Sequence, residues 1–434
     1  MIPGLTRFST GGMNATKVLE EIRLHRIQIP RLSPRQICVC LLWVFVVLIL
    51  GLAVVYEIRT SALQAWLFSR YAAKLHYTIG PGPSPSIVFP SGGPFDRQRG
   101  YPQISNFQRR LEARGFQVAE QARFSPQLAW MAGLGVAPPY RERAATGVRI
   151  QGIGRGYLFN AASNDRLFHE FEEIPPLVVQ SLLFIENREL GEKPPDPRTN
   201  PAVEWDRLAK AGLLYAGSKL GLPLPKEGGS TLATQLEKYR HSAAGRSHSL
   251  LDKFRQITGA SLKVYREGSD TRGSRRQIVV DYLNTVPLAA APGWGEVHGL
   301  GEGLYAWFGR KLDDVCAALR TPENSPEKIV AFKQVLALIT AERAPSHYLI
   351  HNHSALETRV NAYTRLLAQE GILDAEFARR LRATTIVFSR PASIRLAPFS
   401  ERKATNAIRI HLLELLGISD LYDLDRLDLK VNST

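Results

Sequence analysis

Cysteine is scarce. Three occur in 434 residues, and Cys38 and Cys40 sit inside an apolar run that keeps them from Cys316, so no internal disulfide framework is expected. The ten histidines are scattered; His351 and His353 lie close together but have no carboxylate or cysteine frame for a metal. The chain has no P-loop, no dinucleotide glycine fingerprint and no Gly-x-Ser-x-Gly elbow, which sets aside the nucleotide-binding and α/β-hydrolase classes. It has no internal repeat and no heptad array. Acidic residues are in deficit, with 40 Asp and Glu against 55 Lys and Arg, a formal charge of +15. Such a surplus suits nucleic acid, an anionic membrane surface or an anionic substrate. Disorder as the dominant state is excluded by a 44% hydrophobic content, although 34 Gly and 27 Pro predict long irregular connections.

One segment decides between these partners. Residues 37–56, ICVCLLWVFVVLILGLAVVY, carry no charge and no proline. Twenty residues at a helical rise of about 1.5 Å span roughly 30 Å, the thickness of a hydrocarbon core. The run is too long for a cleavable signal peptide, and no small-residue cleavage pattern follows it closely. It reads as a single transmembrane helix. Arg7, Lys17, Arg23, Arg26, Arg31 and Arg35 precede it, whereas Arg59, Arg70 and Lys74 are the basic residues soon after it. The positive-inside bias places segment 1–36 in the cytoplasm and the bulk of the chain on the outer, periplasmic side of the cytoplasmic membrane. Nucleic acid drops out as a partner; anionic headgroups or a phosphate-bearing substrate remain.

Beyond the anchor, residues 57–75 continue as a helix with Leu63, Trp66, Leu67, Tyr71 and Leu75 at helical spacing. The Pro, Gly and Ser content of 78–96 predicts a boundary without regular structure, so 57–100 reads as a membrane-proximal helix and linker. Residues 101–164 read as a small α+β accessory unit: an amphipathic helix stopped by Gly115, a strand, then a strand pair in GVRIQGIGRGYLFNA. From 165 to about 360 the pattern is helical, opening with PPLVVQSLLFIENREL and continuing near 203–219, 231–240, 249–266, 277–285, 299–308, 327–342 and 354–382. Residues 361–434 form a mixed extension with a helix near 404–416. The closing LDLKVNST reads as the start of a strand, as expected of a chain cut short before a further domain.

Several segments could carry chemistry. Glu186, among Leu182, Leu183, Phe184 and Ile185 at a helix end, is placed to act as a base or acid, since apolar surroundings raise a carboxylate pKa. An ordinary ion pair with Arg188 is the competing reading. In GGSTLATQLEKYR, 228–240, two glycines permit a tight turn, Ser230 or Thr231 can cap the following helix, and Gln235 and Lys238 share a face. A helix start of that kind can hold a glycan or phosphate oxygen; a plain turn and cap explain it equally. A nucleophilic role for Ser230 has no neighbouring base to support it. In LLDKFRQITGASLKVY, 250–265, Leu251, Phe254, Thr258 and Leu262 are expected on a core side, with Lys253, Gln256 and Ala260 on another stripe. The glycine-rich GWGEVHGLGEGLYAWFGRKL, 293–312, reads as a tightly turned segment walling a cleft.

Taken in order, these segments resemble the bacterial peptidoglycan glycosyltransferase domain, the lysozyme-like family 51 transglycosylase module of penicillin-binding proteins. ENREL places Glu186 on that family's catalytic general base. GGSTLATQLEK matches its second motif apart from Leu232. IVVDYLN, GLGEGLYAWFGRK and LALITAERAPSHY are similar to three later motifs. The chain departs from the pattern at Asn187, where the family has Asp, and at Leu190, where it has Phe. It lacks the following His-x-Gly, with NPAV at 200–203 in that place. In the third motif it keeps Lys253 and Ala260 but has Asp252 for Arg, Gln256 for the second Glu and Val264 for the last Glu.

The resemblance implies a mainly α architecture: a lysozyme-like glycosyltransferase domain at 165–360, behind a transmembrane helix and a small α+β accessory domain. It further implies an inverting glycosyltransferase that polymerises a lipid-pyrophosphate-linked sugar. Glu186 would be catalytic, and Arg188, Ser230, Thr231, Gln235, Lys238, Lys253 and Gln256 would bind substrate. Mg²⁺ is an optional cofactor, and residues 101–164 could receive envelope proteins. The replaced residues leave two alternatives open. One is a catalytically silent scaffold that binds glycan or lipid-linked precursor and recruits envelope enzymes; the other is a lytic enzyme, supported by fold analogy alone.

Overall fold

The computed structural model describes residues 33–90, 92–152, 156–162, 164–191, 196–205, 230–389 and 399–432. By its internal contacts the chain divides into Met1–Tyr56 and Glu57–Thr434. The described part of the first unit is helical: α1, Pro34–Thr60, begins there, and its apolar side chains are exposed along its length. Among the described residues it is the helix long and apolar enough to cross a membrane.

The helix expected to continue through 57–75 is interrupted at Ser61, whose φ of 48° lies in the left-handed region, and resumes as α2, Ala62–Ala72. The break is held locally. Glu57 accepts the Leu63 and Gln64 backbone N–H groups at 2.7 and 3.0 Å, and the Ser61 hydroxyl accepts the Asn200 N–H at 3.1 Å. The stretch read as an unstructured boundary contains β1, Tyr77–Pro81. Its isolated Pro and Gly are tolerated because it pairs antiparallel with one partner, β2, Glu120–Phe124. Between them lie α3, Pro94–Gln98, and the expected amphipathic helix α4, Ile104–Glu112. α5, Pro126–Gly133, follows, capped by the Ser125 hydroxyl.

The strand pair of the accessory region forms as β3, Arg149–Gln151, and β4, Tyr157–Asn160. Its third strand comes from the far end of the sequence: β7, Lys430–Asn432, lies parallel to β3, with Arg149 opposite Lys430. α15, Phe399–Leu416, and α16, Leu421–Asp425, bury Leu412, Leu416 and Leu424 against Val148 and Ile150, so the two regions share one small core.

The large core is helical. α6, Pro176–Glu186, α7, Leu232–His241, α8, Leu250–Val264, α9, Arg272–Thr285, and α10, Gly299–Phe308, pack with α12, Pro326–Ala341, at the centre. α12 is apolar nearly all round and buried accordingly. α11, Leu312–Arg320, was not anticipated from the sequence. The single helix expected over 354–382 is two, α13, His353–Gln369, and α14, Ala375–Ala383, separated at Gly371 with φ 75°. A short hairpin, β5, Pro287–Ala291, and β6, Gly295–His298, precedes α10. The glycines at the start of α10 have a packing reason. A Cβ on Gly299 would clash with the Asn284 carbonyl oxygen, and one on Gly301 with that of Arg166. Most of the helix expected at 203–219, with Gly228 and Gly229, lies outside the described residues.

Candidate functional site

Glu186 is the last residue of α6, and the chain leaves the helix because Asn187 takes an extended φ of −160°. Asn187 is buried and works in both directions. Its Oδ1 accepts the Leu232 backbone N–H at 3.0 Å, and its Nδ2 donates to the buried Glu204 carboxylate. An aspartate could not make that second bond, which gives a physical reason for the amide here. The outcome is that the end of α6 is tied to the first turn of α7.

Thr231 starts α7. Its hydroxyl accepts the Thr234 N–H while the Thr234 hydroxyl accepts the Thr231 N–H, a reciprocal capping box. Thr231 is fully buried, so its side chain serves the helix start; Ser230 beside it is half-buried. One turn on, Gln235 Nε2 donates to Glu186 Oε2 at 3.4 Å, joining the first two motifs. Lys238 follows, half-buried, on the same side of the helix. Arg188 turns elsewhere: it stacks on Phe184, 4.0 Å from the ring centroid, and pairs with Glu370 at 3.3 Å.

A residue the sequence reading missed joins this group. Glu342 follows the last turn of α12 and is half-buried. Burial first, and then the Glu186 charge, push its pKa up to about 7 against the pull of Lys238, Arg359 and Arg343. Two carboxylates that feel each other in a poorly solvated place resist ionising together. Tyr239 and Tyr282 lie in the same field; burial raises both phenols, and the buried Tyr282 hydroxyl has no hydrogen-bond partner among the described residues. The available signal was an acidic residue directly after an apolar helical run, in LALITAERAPSHY.

α8 contributes differently from expectation. Leu251 and Phe254, expected in the core, are exposed, as is Leu250, while Leu262 and Ala260 further along are buried. Asp252 is the N3 residue of a capping box with Ser249 and accepts the His248 and Ser249 N–H groups at 2.9 and 3.0 Å. Lys253 is exposed. Gln256 is buried, donates to Ser242 and Ser247 at 2.8 and 2.9 Å, and accepts from Ser247 at 3.1 Å. Its amide therefore braces the connection between α7 and α8. Among the described residues no cluster of three or more His, Cys, Asp or Glu side chains is arranged to hold a metal.

The opposite side of α7 is a closed ion network. Glu142 accepts from Arg240 at 3.2 Å, His241 Nε2 at 2.8 Å and Lys263 at 3.1 Å. Lys263 also reaches Glu237 at 2.6 Å, and His241 Nδ1 lies 3.0 Å from Asp96. Burial alone would depress His241, but Glu142 and the hydrogen bonds to Asp96 and Glu142 outweigh it and lift the imidazole to about 9. Burial would likewise raise Glu142; the three cations hold it well below the carboxylate range instead.

Residues 155–368 match the family model described as transglycosylase. No curated protein matches the chain. The matched region contains the Glu186–Gln235 pair and the glycine-rich α10, and it follows α1 in the chain. Through residues 155–368 the chain belongs to the transglycosylase family, a glycosyltransferase domain behind a helix that fits a membrane anchor.

Proposed function

We propose that this chain is an inverting glycosyltransferase that polymerises a lipid-pyrophosphate-linked sugar, a peptidoglycan precursor or related glycan, on the outer face of the cytoplasmic membrane. The observation that carries the reading is the approach of Gln235 to Glu186, which joins the two motifs that chemistry of this kind requires. Glu186 takes the proton from the acceptor hydroxyl as that oxygen attacks the anomeric carbon of the donor, and the pyrophosphate leaves. A positioned base contributes roughly 10²–10⁴-fold. Glu342, by holding a proton near neutral pH, spares Glu186 a second full negative charge beside it. Lys238 neutralises charge developing on the leaving group, with exposed Lys253 as a second cation, and cations placed where charge develops lower the barrier. Mg²⁺, where used, would accompany the substrate pyrophosphate. The exposed Leu250, Leu251 and Phe254 on α8 and Trp66 and Leu67 on α2 suit a lipid-borne substrate and an anionic membrane surface.

The alternative, a silent scaffold that binds the precursor, is favoured by one observation. Gln256, at the position of the family's second carboxylate, is closed off by two serines. Purified full-length protein incubated with lipid-linked precursor separates the readings. Wild type is expected to make polymer, and Glu186→Gln to lose it by about a hundredfold or more with its melting temperature and precursor binding intact. Precursor binding without polymer from wild type selects the scaffold.

A further inference from the structure

The glycine-rich segment after α9 opens on a side that Glu186 does not line. With α3 and α16 it walls a separate cavity of about 370 Å³, large enough for a small organic ligand. Trp294, Glu296, His298 and Glu302 line it from the transglycosylase domain; Arg99, after α3, and Arg426, after α16, line it from the other elements. Glu186, Gln235, Lys238 and Glu342 are not among its walls.

The charges on these walls do not balance. Arg426 is paired with Glu296, and Asp425 with Arg409 outside the cavity. Glu302 accepts the Trp294 indole N–H at 3.2 Å and the His298 backbone N–H at 2.8 Å. With Asp425 taken by Arg409, three guanidiniums face two carboxylates, and Glu302 feels the charges of Arg166 and Arg426 without an ion pair to either among the described residues. Arg99 is buried and donates only to carbonyls, those of Phe95, Arg143 and Ala144. The Arg166 side chain makes no hydrogen bond among the described residues and lies over the rings of Tyr305 and Trp294, 4.1 and 4.9 Å from their centroids. Among the described residues neither has a carboxylate within ion-pair distance, and the Nε of each is buried and unpartnered. The local field agrees: burial, then the Arg426 charge, hold His298 down at about 4, and burial pulls Arg99 down to about 9. Arg99 feels Glu142 and Asp428, and Arg166 feels Glu302, but neither makes a direct ion pair among the described residues. A guanidinium removed from water without one is costly, and its planar fork fits the two oxygens of a carboxylate or phosphate.

We propose that this cavity binds a small organic oxyanion, a carboxylate or phosphate ester, with Arg99 and Arg166 as its cationic wall and Trp294 and Phe95 as its apolar one. The site is separate from the proposed catalytic group and does not depend on the chain being active.

The test uses the full-length protein in detergent, with calorimetry and thermal unfolding. Glucuronate and glucose 6-phosphate are the probes, so that the two arms distinguish carboxylate from phosphate; glucose and sodium chloride at matched ionic strength are the controls. One oxyanion at about 10 mM is expected to raise the melting temperature by about 3 °C, with neither control doing so. Arg166→Gln is expected to weaken binding about tenfold or more. Ala145→Phe, which fills the cavity from a loop, should abolish the shift and serves as the second variant should Arg166→Gln fail to unfold cooperatively. The proposal is overturned by the absence of a shift with both oxyanions, by an equal shift with chloride, or by wild-type binding in both variants.

Discussion

Gln235 and Lys238 on one side of α7, and Glu237, Arg240 and His241 on the other, belong to one ten-residue helix but meet opposite conditions. On the second side every charge is answered. Glu142 gathers three cations, Lys263 bridges two carboxylates, and His241 is held by an acid on each ring nitrogen. On the first side Lys238 is half-buried without an ion-pair partner among the described residues, and burial, then the Glu186 charge, lifts Glu342 to about 7. A saturated network holds the helix; an unsaturated one leaves groups free to take up charge from something else. The same helix can do both because its two faces are separated by half a turn.

The largest effect should come from breaking the saturated side. Glu142→Gln leaves Arg240, His241 and Lys263 buried with too little negative charge, and removing one partner of such a group costs about 3–5 kcal/mol. Lys238→Ala should cost within about 1 kcal/mol, as substitutions away from such networks do. Denaturant unfolding of the two variants tests the contrast, and equal losses would dissolve it.

The next effect concerns pH. His241 has a raised folded-state pKa, so its contribution is full below the ordinary value near 6.5 and is lost as pH rises through about 9. His298 has a depressed one, near 4, so its contribution is present above 6.5 and is lost as pH falls toward 4. Together they give a stability maximum near pH 6.5, each limb worth about 3 kcal/mol at 1.36 kcal/mol per pKa unit. Melting curves from pH 4 to 9 should show His241→Gln flattening the alkaline limb and His298→Gln the acid one.

Asn187→Asp should cost less than either of these losses of buried charge, although it restores the family's residue. It sets a carboxylate against buried Glu204 and forfeits one hydrogen bond, a cost of about 1–3 kcal/mol. Stability measured against pH should show the deficit shrinking in acid, as one of the two carboxylates takes a proton. A variant as stable as wild type at neutral pH would mean that Glu204 is protonated or otherwise matched.

The helical domain and its first two motifs were legible because they rest on local signals. Pro176 starts α6, Thr231 caps α7, and the apolar run of α1 fits a membrane anchor by its length and composition. What was not legible depended on distant partners. Nothing near Thr78 announces a strand, because its partner Arg123 supplies the reason. Leu251 and Phe254 have core-like spacing with Leu262, but they stay exposed and the buried positions of α8 begin at Gln256. Glu342 reads as a surface residue until α6 and α7 are placed beside it. Asp252 and Asn187 look like losses against a family pattern, and both are accounted for by hydrogen bonds that the pattern's own residues would not make.

The pairing of β3 with β7 fixes an order of events during synthesis. Arg149 emerges early, and Lys430, its partner, is among the last residues described. A parallel pair cannot close through a tight turn, so the whole transglycosylase domain is the crossover between its two strands. That domain can collapse around α12 while the accessory sheet is still one strand short. Val148 and Ile150 have only Phe107, Leu111 and Phe159 of their core near them in sequence until Leu412, Leu416 and Leu424 arrive. Because the entropic cost of closing a loop grows only slowly with length, the wait is a matter of timing more than of final stability. Until then the half-finished sheet keeps apolar surface that only the end of the chain can cover.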